Sequence, residues 1–210
     1  MHKIIEDLNW RYAAKQYDSS KKLSEEQLEI IKESLRLTPS AYGLQPLKFI
    51  FIESLQLRKQ IISIAYNQNQ VVDASHLLVI CTHKSIGEDY IDTHVERVAQ
   101  IRNTPTERKI GFSDFLKKNV LSIPSDIQEY WNIRQAYIAL GQLLHTCASI
   151  RVDATPMEGF DSKALDEFLK LEQEGLKSVL LCPIGFRSDD DAYQKLKKVR
   201  KSAEDLFETR

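Results

Sequence analysis

The stretch SDIQEYWNIRQAYIALGQLLHTCASI, residues 125–150, decides the fold. Apolar or small residues fall at Ile133, Ala136, Tyr137, Leu140, Leu143, Leu144, Cys147 and Ala148, the three-and-four spacing of a helical face. Ser125 followed by Gln128 has the spacing of a capping box, which predicts the helix start. About 26 residues at 1.5 Å each give a rod of roughly 39 Å. Ala139 and Gly141 place small residues on its remaining polar side, so the helix must be buried on several sides, against its own core and against a second subunit as the further candidate. Arg134, Gln135, Gln142 and His145 interrupt it, leaving no run of about 18 apolar residues for a membrane span.

Downstream, RVDATPMEGF reads as a shaped loop, 162–171 as a short helix and SVLLCPIGF, 178–186, as a buried strand. Upstream, 86–118 is polar and helical with a break at Pro105. Before it lie an apolar strand at 77–82, a helix at 54–65, a strand at 48–53 and the loop PSAYGLQP, 39–46. Ser24 and Gln27 form a second capping-box signal, with Leu23 set to staple onto Leu28, and this helix ends ahead of Pro39. A short amphipathic segment at 4–12 opens the chain. Continuous apolar strands suit a sheet covered on both faces. Strands separated by helices give an α/β or α+β fold, read as one domain over 1–210 with a helical excursion at about 86–120.

Composition narrows the function classes. Basic and acidic residues number 29 and 30, so no global charge bias points to nucleic acid or an anionic membrane, and any phosphate site must be local. MHKIIEDLNWR has no apolar run of a targeting signal, and a cytoplasmic location is expected. Cys81, Cys147 and Cys182 sit inside apolar segments, as buried free thiols do. The chain contains no G-x-G-x-x-G, P-loop or G-x-S-x-G motif. Its five histidines lack metal-ligand spacing, so no metal is expected, and His145 reads as a satisfied core imidazole.

What remains is a set of motifs scattered along the chain. They are Arg11, Lys15, Tyr17 and Asp18; Pro39, Ser40, Gln45, Pro46 and Phe49; DASH at 73–76; P-x-E-G-F at 156–160; and Lys198 with Arg200. Together, and in this order, they resemble the nitroreductase family of FMN-dependent oxidoreductases over essentially the whole chain. The resemblance implies an α+β nitroreductase-like fold with a mostly antiparallel central sheet between helices. It implies a homodimer with the long helix at the interface, FMN bound between subunits, and a C-terminal extension, about 187–210, packing on the partner.

The same resemblance implies the cofactor contacts. Arg11, Tyr12 and Ala13 with Lys198 and Arg200 would serve the phosphate, which as a dianion needs convergent cations. Lys15, Asn67 and Gln70 would face the pyrimidine edge, where donors and positive charge favour the reduced ring. Pro156, Met157, Glu158 and Gly159 would serve N5 and O4 of the ring through the backbone of Glu158 and Gly159, and Pro39, Ser40, Ala41 and Gly43 would reach over from the partner subunit. Gln70 departs from members with lysine there, implying a lower flavin potential. The implied activity is ping-pong reduction of nitroaromatics, quinones or related electrophiles by NAD(P)H through flavin N5, with no protein residue as acid or base. The alternatives are flavin, pteridine or enone reduction, dehalogenation, or non-catalytic FMN binding.

Overall fold

The structure, a computed structural model, describes residues 1–210. Three continuous apolar runs become the long strands β1 (Leu47–Ile52), β2 (His76–His83) and β4 (Leu176–Gly185); β3 (Asp153–Ala154) is two residues long. The sheet order is β1-β2-β4-β3 and every pair is antiparallel. Leu47 lies opposite Thr82 and Ile52 opposite Leu77, while β2 and β4 slip register between Ile80 and Cys81. The sequence reading foresees three strands. The fourth lies within RVDATPMEGF, where two residues carry no alternation to detect.

Helices cover both faces. On one, α2 (Glu25–Arg36) and α7 (Ser125–Ser149) press Ile31, Leu35 and Leu143 onto Leu78, Ile80 and Leu180. On the other, α3 (Leu55–Ile61), α4 (Gln70–Asp73) and α8 (Ser162–Leu169) bring Ile61, Val71 and Leu165 onto Leu77, Val79 and Leu181. A helical pair, α5 (Glu88–Arg102) and α6 (Thr106–Val120), buries its own small cluster of Ile91, Val95, Leu116 and Val120 around Leu44. The remaining helices are α1 (Lys3–Trp10) and the short α9 (Ala203–Leu206).

The capping box of α2 is present in both directions, Gln27 N–H donating to Ser24 and Ser24 N–H to the Gln27 side chain. That of α7 is not. Pro124 takes the cap position with no side-chain bond, and Gln128 is buried. Its side chain instead accepts from Ile86 N–H at 2.7 Å and donates to the Val120 carbonyl at 3.2 Å, tying α7 to the excursion. One side of α7 is core, with Ala136, Ala139, Leu143 and Cys147 fully buried or nearly so. The other leaves Ile127, Tyr130, Tyr137 and Ile138 between 42% and 63% exposed.

His145 is only half-buried and its imidazole bonds no group of the chain, so it is not the satisfied core imidazole expected. The three cysteines are buried and free. No helix is long and apolar enough to cross a membrane.

Candidate active site

The two ends of the chain meet at the tip of α1. The helix stops at Trp10, and Arg11 continues in extended conformation. Arg187, just past β4, slides its guanidinium between two rings, 4.1 Å from the Trp10 centroid and 4.4 Å from that of Tyr12. It also bonds both oxygens of the buried Asp153 carboxylate on β3, at 2.9 and 3.0 Å through Nε and 2.5 Å through Nη2. The stack therefore clips the end of α1 to the edge of the sheet.

Lys198 returns along the same helix end and donates to the carbonyls of Leu8, at 2.6 Å, and Arg11. Residues 187–198 thus pack on this chain's own N-terminus. Arg11, Tyr12, Ala13, Lys198 and Arg200 line a cavity of about 370 Å³. Burial, and then the neighbouring Arg200, hold the Arg11 guanidinium below its usual pKa. Burial likewise lowers Lys198, helped by Arg11, Arg200 and Arg187. None of Arg11, Lys198 and Arg200 is in an ion pair, so the cavity gathers cations with no directly paired acid, Asp153 being the acid whose charge reaches Arg11.

From this cavity the backbone turns through Lys15, whose exposed side chain is free while its N–H donates to Asp191 at 2.7 Å. Ala14 is tied by its carbonyl to the Thr155 hydroxyl at 2.9 Å, and Tyr17 shares that hydroxyl at 2.8 Å. The N-terminal turn is thereby bound to the strand leading to 156–159. Gly185 allows the approach: a Cβ there would lie 2.8 Å from Ser75 N and 3.1 Å from the Tyr17 ring.

The second group lies around Asn67. Tyr66 and Asn67 adopt consecutive left-handed conformations, φ 53° and 58°, which exposes Asn67. Buried Arg58 holds the segment behind them by donating to the carbonyls of Val71, Val72 and Ala74 at 3.3, 2.8 and 2.6 Å. Gln70 is buried and its side-chain amide bonds no protein group. Gln68 reaches across from this segment to the Gly159 carbonyl at 2.8 Å.

On the far side of that turn, Tyr137 of α7 donates to Glu158 Oε1 at 2.5 Å, and the bond to this carboxylate pushes the phenol up to about 12. Glu158 and Gly159 are exposed and Pro156 half-buried, whereas Met157 points into the core with its N–H and carbonyl both bonded to Leu181.

The loop carrying Pro39, Ser40, Ala41 and Gly43 stands apart from both groups. Ala41 N–H donates to Gln135 of α7 at 2.9 Å, Gln45 N–H to the Ser40 hydroxyl at 2.7 Å, and Tyr90 to the carbonyls of Leu44 and Gln45. Tyr42, with φ 55°, projects toward Phe115 and Trp131, centroids 5.8 and 6.3 Å away. This loop shares no hydrogen bond with the cavity at Arg11 or with the 156–159 turn.

Five residues that hold these groups in place escaped the sequence reading: Arg58, Gln68, Tyr137, Arg187 and Asp191. Only Arg187 carries a signal, as a lone base between a strand and an acidic run. The others are ordinary residue types whose roles depend on distant partners.

The geometry and the motifs point the same way as comparison with known proteins. The sequence model of the Nitroreductase family matches residues 8–186. The chain belongs to the nitroreductase family. Its sequence is 35% identical to the major NAD(P)H-flavin oxidoreductase of Aliivibrio fischeri over 213 residues, covering 98% of each chain. It is 30% identical to the oxygen-insensitive NAD(P)H nitroreductase of Enterobacter cloacae over 200 residues, 90% of this chain and 91% of that one. Among solved structures, a chain from Exiguobacterium sibiricum, assigned as a nitroreductase and crystallised in complex with FMN, superposes with a TM-score of 0.86 at 20% identity, covering 99% of this chain and 97% of that one. As a nitroreductase-family chain with such relatives, the protein is an NAD(P)H-dependent oxidoreductase, and its α+β fold is the family's.

Proposed function

We propose that this chain is a homodimeric FMN-dependent oxidoreductase that uses NAD(P)H to reduce nitroaromatics, quinones or related flat electrophiles. The observation that carries the reading is the crowd of cations at the 370 Å³ cavity. Crowding half-buried Arg11 and Lys198 beside Arg200, with no acid in ion-pair contact with any of the three, costs stability unless a ligand supplies negative charge. A dianionic phosphate ester is the matching group, so the residues fit FMN.

When bound, FMN would supply the redox chemistry, as the hydride carrier between NAD(P)H and the acceptor. The protein binds and orients. Arg11, Lys198 and Arg200 hold the phosphate with charge-assisted bonds, with Tyr12 and Ala13 forming the adjoining wall. Lys15, Asn67 and the unpartnered amide of Gln70 offer donors and charge to the pyrimidine edge. The exposed turn at Pro156, Glu158 and Gly159 offers backbone N–H groups to N5 and O4, while buried Met157 anchors that turn to β4.

Support for the dimer comes from what one chain leaves undone. The loop at Pro39, Ser40, Ala41 and Gly43 is rigidly held yet faces neither group of its own chain, so we assign it to the partner's flavin. Ile127, Tyr130, Tyr137 and Ile138 of α7 lie exposed for that interface. Beyond Arg200 the tail exposes Leu206 and Phe207 by 56% and 75%, flanked by Glu204, Asp205 and Glu208. Free edge strand β1 borders a groove of about 810 Å³ with an apolar floor of Leu35, Leu47 and Phe49 and a rim of Lys32, Arg36 and Arg97. The exposed Leu206 and Phe207 suit the apolar floor of that groove, and we place the partner's residues 201–210 there. Buried free thiols suit a reducing compartment, and the cytoplasm is the proposed location.

The test is the visible spectrum of the purified protein, followed without oxygen by NADPH or NADH and then a nitroaromatic or a quinone. A flavin band that bleaches with nicotinamide and returns with acceptor is expected. A protein that stays colourless after FMN is added would overturn the reading, and bound flavin without turnover would leave a storage protein.

A further inference from the structure

Asp191 bonds the wall of the Arg11 cavity through the Tyr12 hydroxyl, and a buried carboxylate is an unusual neighbour for an anion-binding site. It lies in the run SDDD, whose neighbours Asp189 and Asp190 are exposed, yet it is itself 1% exposed. Its Oδ2 accepts from three groups of the N-terminal turn: the Tyr12 hydroxyl at 2.9 Å, Lys15 N–H at 2.7 Å and Gln16 N–H at 3.2 Å. Its Oδ1 accepts from Tyr193 N–H at 3.0 Å. The turn held this way carries Arg11 at one end and Lys15 at the other, while Tyr193 begins the segment leading to Lys198 and Arg200. One carboxylate therefore fixes both halves of a site assembled from opposite ends of the chain.

We propose that Asp191 is a positioning residue for phosphate-ester binding: it strengthens binding of an anion by ordering the turn, although its own charge opposes that anion. This rests on the FMN reading above. The two effects have opposite signs, which makes the proposal decidable. By Coulomb's law alone, removing a negative charge beside an anion site tightens the anion. By positioning, replacing one carboxylate oxygen with an NH2 group sets that group against the donors on that side, either Tyr193 N–H or the three groups on Oδ2, lets Arg11 and Lys15 drift, and loosens the anion. Burial tends to push this carboxyl up, but its donors outweigh burial and keep it below the ordinary aspartate value, so it is the anion that they hold.

The experiment is FMN titration by flavin fluorescence on wild type, Asp191→Asn, Asp191→Glu and Tyr12→Phe, each first shown to be folded by circular dichroism. Asp191→Asn is expected to weaken FMN about tenfold or more, the scale of one charge-assisted bond. Asp191→Glu keeps the charge but displaces the acceptor by a methylene, and is expected to weaken FMN as well. Tyr12→Phe, which alters no charge and deletes one donor, moves in the same direction by less. Tighter FMN in Asp191→Asn with wild-type affinity in Asp191→Glu would show that only charge matters and overturn the proposal. Unchanged affinity in all folded variants, with only the melting temperature lowered, would overturn it too, since Asp191 would then be structural. If either Asp191 variant fails to fold, Tyr12→Phe decides: wild-type affinity there overturns the proposal. A wild type that takes up no FMN would instead fail the functional reading itself, and the proposal with it.

Discussion

Arg187 and Arg11 border the same pair of aromatic rings and have opposite fates. Arg187 lies between Trp10 and Tyr12 with its charge matched by Asp153, which is 3% exposed. Arg11, between those two aromatics in sequence, is half-buried, pairs with no acid and faces Arg200. Arg58 belongs with the first kind, its guanidinium given to three carbonyls at the end of α4. A buried cation satisfied within its own chain holds the fold, whereas one left unsatisfied marks where a ligand's charge belongs. Neither kind can be told from the other by residue type.

The comparison breaks first at the ion pair. Arg187→Ala leaves Asp153 buried without its partner, and loss of one member of such a pair costs about 3–5 kcal/mol. Urea unfolding should show a loss of that size, because β3 and the end of α1 lose their shared anchor. A loss under about 1 kcal/mol would place Arg187 among surface arginines instead.

Arg11→Ala should do the reverse. Removing it relieves repulsion with Arg200 and Lys198, so the unfolding midpoint of the apoprotein should hold or rise slightly. FMN affinity should fall by about 10- to 100-fold, the equivalent of 1.5–3 kcal/mol for a hydrogen bond to a charged group. A marked loss of apoprotein stability with FMN affinity retained would exchange the roles assigned to the two arginines.

Acid titration probes Asp191, the acid that ties the N-terminal turn to the segment leading to Lys198. The Asp191 carboxyl is held below its ordinary value, so its stabilising effect is complete above the unfolded value of about 3.9. It is lost as pH falls through the lower, folded value. The gap in melting temperature between wild type and Asp191→Asn should be widest near neutrality and shrink below about pH 4. A gap that stays constant into acid would mean that the folded carboxyl carries no depressed titration.

How much of this could be read beforehand follows the same division. Local signals survived: the Ser24–Gln27 box, the apolar runs of β1, β2 and β4, and motifs whose residues line the cavity. Signals that depend on what a side chain meets after folding did not. Ser125 and Gln128 have capping-box spacing, but Gln128 finds Ile86 and Val120 instead. Nothing in SDDD says which aspartate turns inward. Asp153 reads as loop because its strand partner and its arginine lie far downstream. The tail reads as one extension, yet Lys198 stops on α1 while Leu206 and Phe207 remain exposed.

The smallest expected effect sharpens the comparison at the other edge of the flavin. Gln70 is buried with its amide unpartnered, so replacing it breaks no protein hydrogen bond. Gln70→Lys would give the proposed pyrimidine edge a cation, as Arg11 gives one to the proposed phosphate site, with Asp73 one turn away as the only acid of its segment. Reduction adds negative charge to the pyrimidine edge, so the new cation stabilises the reduced flavin more than the oxidised one. About 1 kcal/mol of differential attraction corresponds to roughly 20 mV for a two-electron couple. Redox titration against a reference dye should therefore show a potential higher by an amount of that order, with FMN affinity changed little. A potential that stays put or falls would mean that residue 70 does not face the flavin, and Lys15 and Asn67 would be left to carry that edge.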